Sequence, residues 1–236
     1  MDAKKILQKL NQHSNPENAA GMAHFGINPE GTLGISMPVI RQMAKEIGKS
    51  HELATELWES GIHEARILAS LVDIPSDVTA VQADKWVSEF DSWDVCDQCV
   101  MNLLDKTPFA DKKAIEWSRR YKEFEKRAGF AMMASLAVHD KKAGNEMFES
   151  FLPIIINEAD DDRNFVKKAI NWALRQIGKR NEFLHKSAMK TVIDIMNKFP
   201  DSISAQWITK DALKELTNPK TFERMNKKRQ HYEKIV

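Results

Sequence analysis

Apolar residues recur at spacings of three and four along almost the whole chain of 236 residues. This period is typical of amphipathic α-helices, and no run of alternating apolar and polar residues indicates a strand. Helix-breaking and capping signals separate the apolar segments at intervals of about 10 to 20 residues. The sequence therefore predicts an all-α protein of many short helices joined by tight turns.

Local signals place the ends of several helices. Ser36 followed by Met37-Pro38 is typical of a helix N-terminus, and Gly48 predicts that this helix ends at Ile47. Three further helix starts are predicted, at Pro75-Ser76-Asp77, at Asp91-Ser92 and at Thr107-Pro108, and the first of these helices is expected to run toward Phe90.

Segments that begin with a polar residue and continue with small and apolar residues recur along the chain. They start at Arg66, Asp97, Arg127 and Lys168, at intervals of 31, 30 and 41 residues. Such intervals match a two-helix repeat of the HEAT-like or armadillo-like kind, which predicts a solenoid whose inner helices present their early polar residues on one shared concave face. The three basic residues would hold phosphates on that face; the alternative is that they are ordinary solvated helix charges.

The charge of the chain is unevenly distributed, although its net value is only +1. From Arg163 to Val236 there are 17 Lys+Arg against 7 Asp+Glu, and before Arg163 there are 18 against 27. The asymmetry predicts one basic face suited to a nucleic-acid backbone. The alternative to a basic face is a solvated basic tail within residues 220–236. The whole chain, residues 1–236, is expected to form a single domain.

Neither end of the chain nor its interior indicates a membrane protein. The N-terminus carries charges where a signal peptide would be apolar, and no segment approaches the roughly 20 apolar residues of a membrane span. We therefore expect a cytoplasmic protein with no membrane partner.

The two cysteines, Cys96 and Cys99, have the C-x-x-C spacing of a redox pair or of half a zinc site. A structural zinc ion needs about four ligands, and no second cysteine pair or nearby histidine pair supplies them. The surrounding residues read as an amphipathic helix. The sequence favours cysteines that pack in the core, and it predicts neither a metal nor a cofactor.

One group of residues indicates a catalytic site. Asp97 places a carboxylate where the neighbouring repeats have bases, and Trp93, four residues earlier, shares its helix face. Trp172 lies four residues after Lys168. In a solenoid both tryptophans, Asp97 and Arg127 can face one cleft. The alternative for each residue alone is a packing tryptophan or an ion-paired aspartate.

At these positions the sequence resembles the bacterial HEAT-like-repeat alkylpurine DNA glycosylases, the AlkD-like DNA alkylation repair proteins. The resemblance runs from about residue 18 to about residue 200. It is carried by Gly34-Ile35-Ser36-Met37-Pro38-Val39-Ile40-Arg41, by Ser92-Trp93-Asp94-Val95-Cys96-Asp97, by Lys126-Arg127-Ala128 and by Val166-Lys167-Lys168-Ala169-Ile170-Asn171-Trp172-Ala173-Leu174-Arg175. Ser92 departs from the family pattern, which has an aromatic residue there.

The resemblance implies that Trp93 and Trp172 flank the deoxyribose of a damaged nucleotide and that Asp97 lies near its anomeric carbon. Loss of an N3- or N7-alkylated purine leaves positive charge on the sugar, which a carboxylate and aromatic faces stabilise. Asp97 can also orient or deprotonate the attacking water. The implied DNA contacts are Arg127 and Lys168, together with Lys167, Arg175 and Arg66.

The resemblance thus implies an all-α, right-handed superhelical solenoid with a concave DNA-binding face. It also implies a monomeric, monofunctional glycosylase that removes alkylated purines from double-stranded DNA in base excision repair. Two alternatives stay open. One is a DNA-binding member of the same family without activity, and the other is a helical-repeat scaffold that binds proteins.

Overall fold

A computed structural model describes residues 2–225 of the chain. Within these residues the structure has thirteen α-helices, one 3-10 helix and no strand, which confirms the all-α prediction. The α-helices are α1 (Ala3–Gln12), α2 (Pro16–Ala23), α3 (Met37–Ile47), α4 (His51–Glu59), α5 (His63–Val72), α6 (Ala80–Ser88), α7 (Trp93–Asn102), α8 (Ala110–Ser118), α9 (Glu123–His139), α10 (Asn145–Asn157), α11 (Asn164–Gly178), α12 (Glu182–Lys198) and α13 (Ile203–Leu216), and the 3-10 helix is Leu104–Lys106.

The helices form two compact units, Met1–Ala110 and Asp111–Val236. In the first unit α4 packs on α5, and α5 packs on α3 and α7. In the second unit α9 and α13 both pack on α11, while α12 contacts α10, α11 and α13. Each unit is therefore built from helices packed in successive pairs. A single domain over residues 1–236 stays a prediction, and the predicted basic tail at residues 220–236 lies largely outside the described residues.

A repeat runs through the helix starts. Helices α5, α7, α9 and α11 begin at residues 63, 93, 123 and 164, so the intervals of 30, 30 and 41 residues match the repeat predicted from the sequence. Helix α13 begins at residue 203, 39 residues after α11, and continues the series. Helix α13, which lies in the stretch after Pro200 that has no recognisable sequence motif, is therefore part of one more repeat of the same kind.

The predicted helix ends are confirmed where local chemistry determines them. Helix α3 covers Met37–Ile47 as expected, and Gly48 ends it with a φ of 79°, a conformation in which only glycine is unstrained. Ser92 is the N-cap residue of α7, and α8 begins just after Thr107-Pro108.

The prediction that a helix starts at Pro75-Ser76-Asp77 is wrong. That stretch is a turn, closed by a hydrogen bond of 3.0 Å from the Asp77 amide to the Ile74 carbonyl. Helix α6 begins later, because Thr79 has the side-chain oxygen that accepts a hydrogen bond of 3.1 Å from the Gln82 amide.

The six tryptophans divide into two groups of three. Trp58 and Trp86 are buried in the first unit and stack with ring centroids 4.1 Å apart and planes within 4°, and Trp117 is buried in the second unit. Trp93, Trp172 and Trp207 keep part of their surface exposed. Only the second group is available to touch a ligand.

Cys96 and Cys99 are both buried, and neither forms a disulfide. Burial raises the pKa of the Cys99 thiol well above its ordinary value, so the thiol stays protonated. These are the properties expected of packing cysteines.

Candidate functional site

The first part of the site lies on α7. Trp93 is the first residue of this helix and Asp97 follows one turn later, so their side chains lie on the same face. Asp97 is only 9% exposed, and Trp93 is half-buried. The indole Nε1 of Trp93 donates a hydrogen bond of 3.0 Å to the backbone carbonyl of Phe25. A residue 68 positions earlier in the chain thus helps to set the orientation of this ring.

Further hydrogen bonds hold the loop after α2 against the start of α7. The Asn28 amide donates to Ser92 Oγ at 2.8 Å, and Asn28 Nδ2 donates to Asp91 Oδ2 at 2.9 Å. Thr32 Oγ1 donates to the Asn28 carbonyl at 2.7 Å, which closes the loop on itself. Ser92, the residue that departs from the family pattern, is fully buried and serves as an acceptor in this contact.

A buried carboxylate fixes the neighbouring segment. Glu64 of α5 accepts hydrogen bonds from the amides of Leu33, Gly34 and Ile35 at 2.8, 2.7 and 3.1 Å. Gly34 has a φ of 75°, and a Cβ atom there would lie 2.2 Å from the Asn15 carbonyl oxygen. Gly34, the first residue of the Gly-Ile-x-x-Pro segment, is therefore required for this close packing.

A histidine and an aspartate meet beside Trp93. His63 Nε2 lies 2.8 Å from Asp94 Oδ2, and the imidazole is almost completely buried. Burial disfavours the imidazolium, but the hydrogen bond and charge of Asp94, helped by Glu64 and Asp91, outweigh it and raise the pKa of His63. The pair ties α5 to the first turn of α7.

The guanidinium group of Arg66 contacts other residues of the first unit. Its Nη1 donates to the Glu89 carbonyl at 3.1 Å, its Nη2 lies 3.4 Å from Glu89 Oε2, and its guanidinium lies 5.1 Å from the ring centroid of Trp58. A phosphate at Arg66 would have to compete with these contacts.

The second part of the site lies on α11. Lys168 is exposed, and the half-buried Trp172 follows one turn later on the same face. Lys167 Nζ lies 5.6 Å from the ring centroid of Trp207, a partly exposed residue of α13, in the arrangement of a cation–π contact. Helices α11 and α13 thus carry adjacent lysines and indoles.

Arg127 and Arg175, which the sequence predicts to bind phosphates, make internal contacts. Arg127 is 6% exposed, and its Nη1 donates to the Phe165 carbonyl at 2.6 Å. Arg175 pairs with Glu215 and lies 3.6 Å from Asp211. Burial opposes ionisation of Glu215, but Lys179 and Arg175 more than compensate and lower its pKa. Of the predicted phosphate contacts, Lys168 is the exposed one, whereas Lys167 is half-buried and lies against Trp207.

The structure therefore brings Trp93 and Asp97 together on α7, and Lys168 and Trp172 together on α11. Sequence reasoning missed the residues that position the first pair, namely Phe25, Asn28, Glu64, His63 and Asp94. The local signal for the loop is its turn composition, with Gly26 and Asn28-Pro29, but the partners are 29 to 68 residues apart in the chain.

Residues 2–225 contain no group of three or more His, Cys, Asp or Glu side chains that could hold a metal ion. Over the same residues, no helix combines the length and the apolar character needed to cross a membrane.

Comparison with solved structures defines the class of fold. The chain is similar to a protein described as belonging to a new family related to the HEAT-like repeat DNA glycosylases, with affinity for branched DNA structures; the TM-score is 0.73, the identity is 20%, and 83% of each chain is covered. The fold is thus that of the HEAT-like repeat proteins. The chain belongs to the DNA alkylation repair enzyme family, whose pattern it matches over residues 6–227. The comparison with curated proteins gave no match.

Proposed function

We propose that this family member is a monofunctional DNA glycosylase that excises N3- and N7-alkylated purines from double-stranded DNA. The observation that supports this most directly is the pair on α7, a largely buried Asp97 one turn from the half-buried Trp93. A carboxylate shielded from water interacts with a nearby positive charge more strongly than an exposed one does. Such a group is suited to a reaction in which the sugar becomes cationic.

The proposed reaction is hydrolysis of the bond between C1′ and the purine nitrogen. The bonding electrons leave with the alkylated base, whose positive charge they neutralise, and the deoxyribose becomes an oxocarbenium ion. Asp97 stabilises this cation while the faces of Trp93 and Trp172 flank the sugar. Water then adds to C1′ and loses a proton to Asp97, which leaves a free base and an abasic site.

DNA binding in this proposal rests mainly on the second unit. Residues 111–236 contain 26 Lys+Arg against 18 Asp+Glu, and the exposed Lys168 lies one turn from Trp172. Lys168 and Lys167 contact phosphates beside the lesion. Arg127, Arg175 and Arg66 contribute less, because their guanidinium groups already bind protein acceptors. The protein acts on DNA as a monomer.

The test is release of 7-methylguanine and 3-methyladenine from methylated duplex DNA. We expect Asp97→Asn to lower the rate by about 100-fold or more, with little change in DNA affinity, because the amide keeps the shape but loses the charge. Asp105→Asn is the matched control, since Asp105 is equally buried in the same unit but lies outside α7. No release by a well-folded wild-type protein would contradict the proposal.

The second candidate is binding of branched DNA without base excision. The similarity to a solved protein with affinity for branched DNA favours it. It predicts tighter binding to a four-way junction than to a linear duplex of the same length, and no released base.

A further inference from the structure

Phe25 exposes its ring on a well-defined turn. The side chain is 74% exposed. Its backbone is nevertheless held, because the Phe25 amide donates to the Met22 carbonyl at 3.0 Å and the Gly26 amide donates to the Ala23 carbonyl at 3.0 Å. Gly26 then turns the chain with a φ of 74°. A large apolar side chain is thus presented to solvent by a turn rather than by an irregular segment.

The same turn is bonded directly to the candidate active-site helix. The Phe25 carbonyl accepts the hydrogen bond from the Trp93 indole, and Asn28 bonds to both Ser92 and Asp91 just before α7. The Phe25 ring is therefore carried on a residue whose own backbone touches Trp93. Because the turn is fixed in advance, little conformational entropy is lost when the ring meets a ligand.

The chemistry of Phe25 restricts what it can contact on DNA. A phenylalanine ring has no hydrogen-bonding group and cannot hold a phosphate, but it can stack on a base or enter a base step as an apolar wedge. The unit that carries it has 9 Lys+Arg against 16 Asp+Glu in residues 1–110, a balance that disfavours contact with the phosphate backbone. Contact of this unit with DNA is therefore better suited to bases than to phosphates.

We infer that Phe25 is a base-contacting wedge, which enters the helical stack at the step next to the target nucleotide while Trp93 meets the sugar. The inference rests on the proposed function, since it takes DNA as the ligand. A wedge is favoured where stacking is already weak, because less unstacking energy has to be supplied. Phe25 therefore gives the protein a preference for a destabilised step over intact duplex.

The experiment measures binding of the full chain to two duplexes of identical sequence, one intact and one with a tetrahydrofuran abasic analogue at a single position. We expect the wild type to prefer the abasic duplex and Phe25→Ala to reduce that preference by about 5- to 10-fold. Affinity for intact duplex and its dependence on salt should hardly change, since no phosphate contact is removed. Phe25→Trp should restore the preference.

Phe183→Ala is the matched control, because Phe183 is 51% exposed on α12 in the other unit; it should leave both affinities unchanged. Asn28→Ala keeps the ring but loosens the turn, and we expect it to lose part of the preference. A Phe25→Ala protein with the full preference, or a wild type with none, would overturn the wedge. If the wild type still releases methylated purines, only the wedge fails; if it binds neither duplex and releases no base, the proposed function fails as well.

Discussion

Helices α7 and α11 both carry a partly exposed tryptophan, but their surroundings differ. Around Trp93 the neighbours are acids and buried hydrogen bonds, with Asp94 on His63 and the indole on the Phe25 carbonyl. One turn from Trp172 lies an exposed base, Lys168. Trp93 and Asp94 are held by hydrogen bonds to groups distant in sequence, whereas Lys168 offers an exposed charge to a ligand.

This difference indicates a division of labour within the proposed glycosylase. Chemistry at a sugar carbon needs groups held in place before the substrate arrives, and buried hydrogen bonds provide that. Holding DNA needs accessible positive charge, which lysines on a helix surface provide. Three substitutions test whether the two regions differ in this way.

The largest effect is expected at Glu64. Glu64→Gln should lower the free energy of unfolding by about 3 kcal/mol, because one buried acceptor oxygen becomes an amide that faces backbone N–H groups. Guanidinium denaturation measures it. Glu215→Gln is the control in the second unit: Glu215 is half-buried and ion-paired, so the loss should be about 1 kcal/mol or less. Equal losses would show that the first region is no more firmly held.

A smaller effect is expected at Lys168, in DNA binding. Lys168→Ala should weaken binding to duplex DNA about threefold to fivefold at about 0.1 M salt and reduce the slope of log affinity against log salt by about one. Arg66→Met should leave that slope unchanged, because the Arg66 guanidinium binds Glu89 and lies over Trp58. An equal change of slope in both variants would mean that the two regions contribute equally to phosphate binding.

The smallest effect is a dependence of stability on pH through His63. Its folded-state pKa is raised, so the stability that protonation adds is fully present below the unfolded value of about 6.5 and is lost as the pH rises through the folded-state pKa. The difference in unfolding free energy between the wild type and His63→Gln should therefore shrink from acidic to alkaline pH. A difference that is constant with pH would mean that the pKa of His63 is the same in the folded and the unfolded protein.

Sequence reasoning succeeded where the determinants are local. The bounds of α3 follow from Ser36, Met37-Pro38 and Gly48, and the spacing of the repeated segments matches the spacing of the starts of α5, α7, α9 and α11. It failed at α6, because two stretches offered capping chemistry and only Thr79 forms the cap. Helix α13 was not assigned, since no charged residue stands in its first two turns, as one does in each of the four earlier repeated segments.

The site was predictable only in part for a similar reason. The i,i+4 spacing places Trp93 beside Asp97 whatever the rest of the chain does. The acceptor that an arginine binds cannot be predicted from neighbouring residues, because Arg66 binds Glu89 and Arg175 binds Glu215, 23 and 40 residues away in the chain. The contact between Phe25 and Trp93 spans 68 residues, so no pattern within one helix reveals it.

The stacked indoles of Trp58 and Trp86 have a use that no other pair of side chains among residues 2–225 offers. At a centroid separation of 4.1 Å their electronic transitions interact, and the interaction disappears once the rings separate. Both rings belong to Met1–Ala110, whereas the peptide ellipticity of the helices arises from both units. The near-ultraviolet signal of this pair therefore reports on the folding of one unit. Comparing its thermal unfolding curve with that of the peptide signal tells whether the two units unfold together or one after the other.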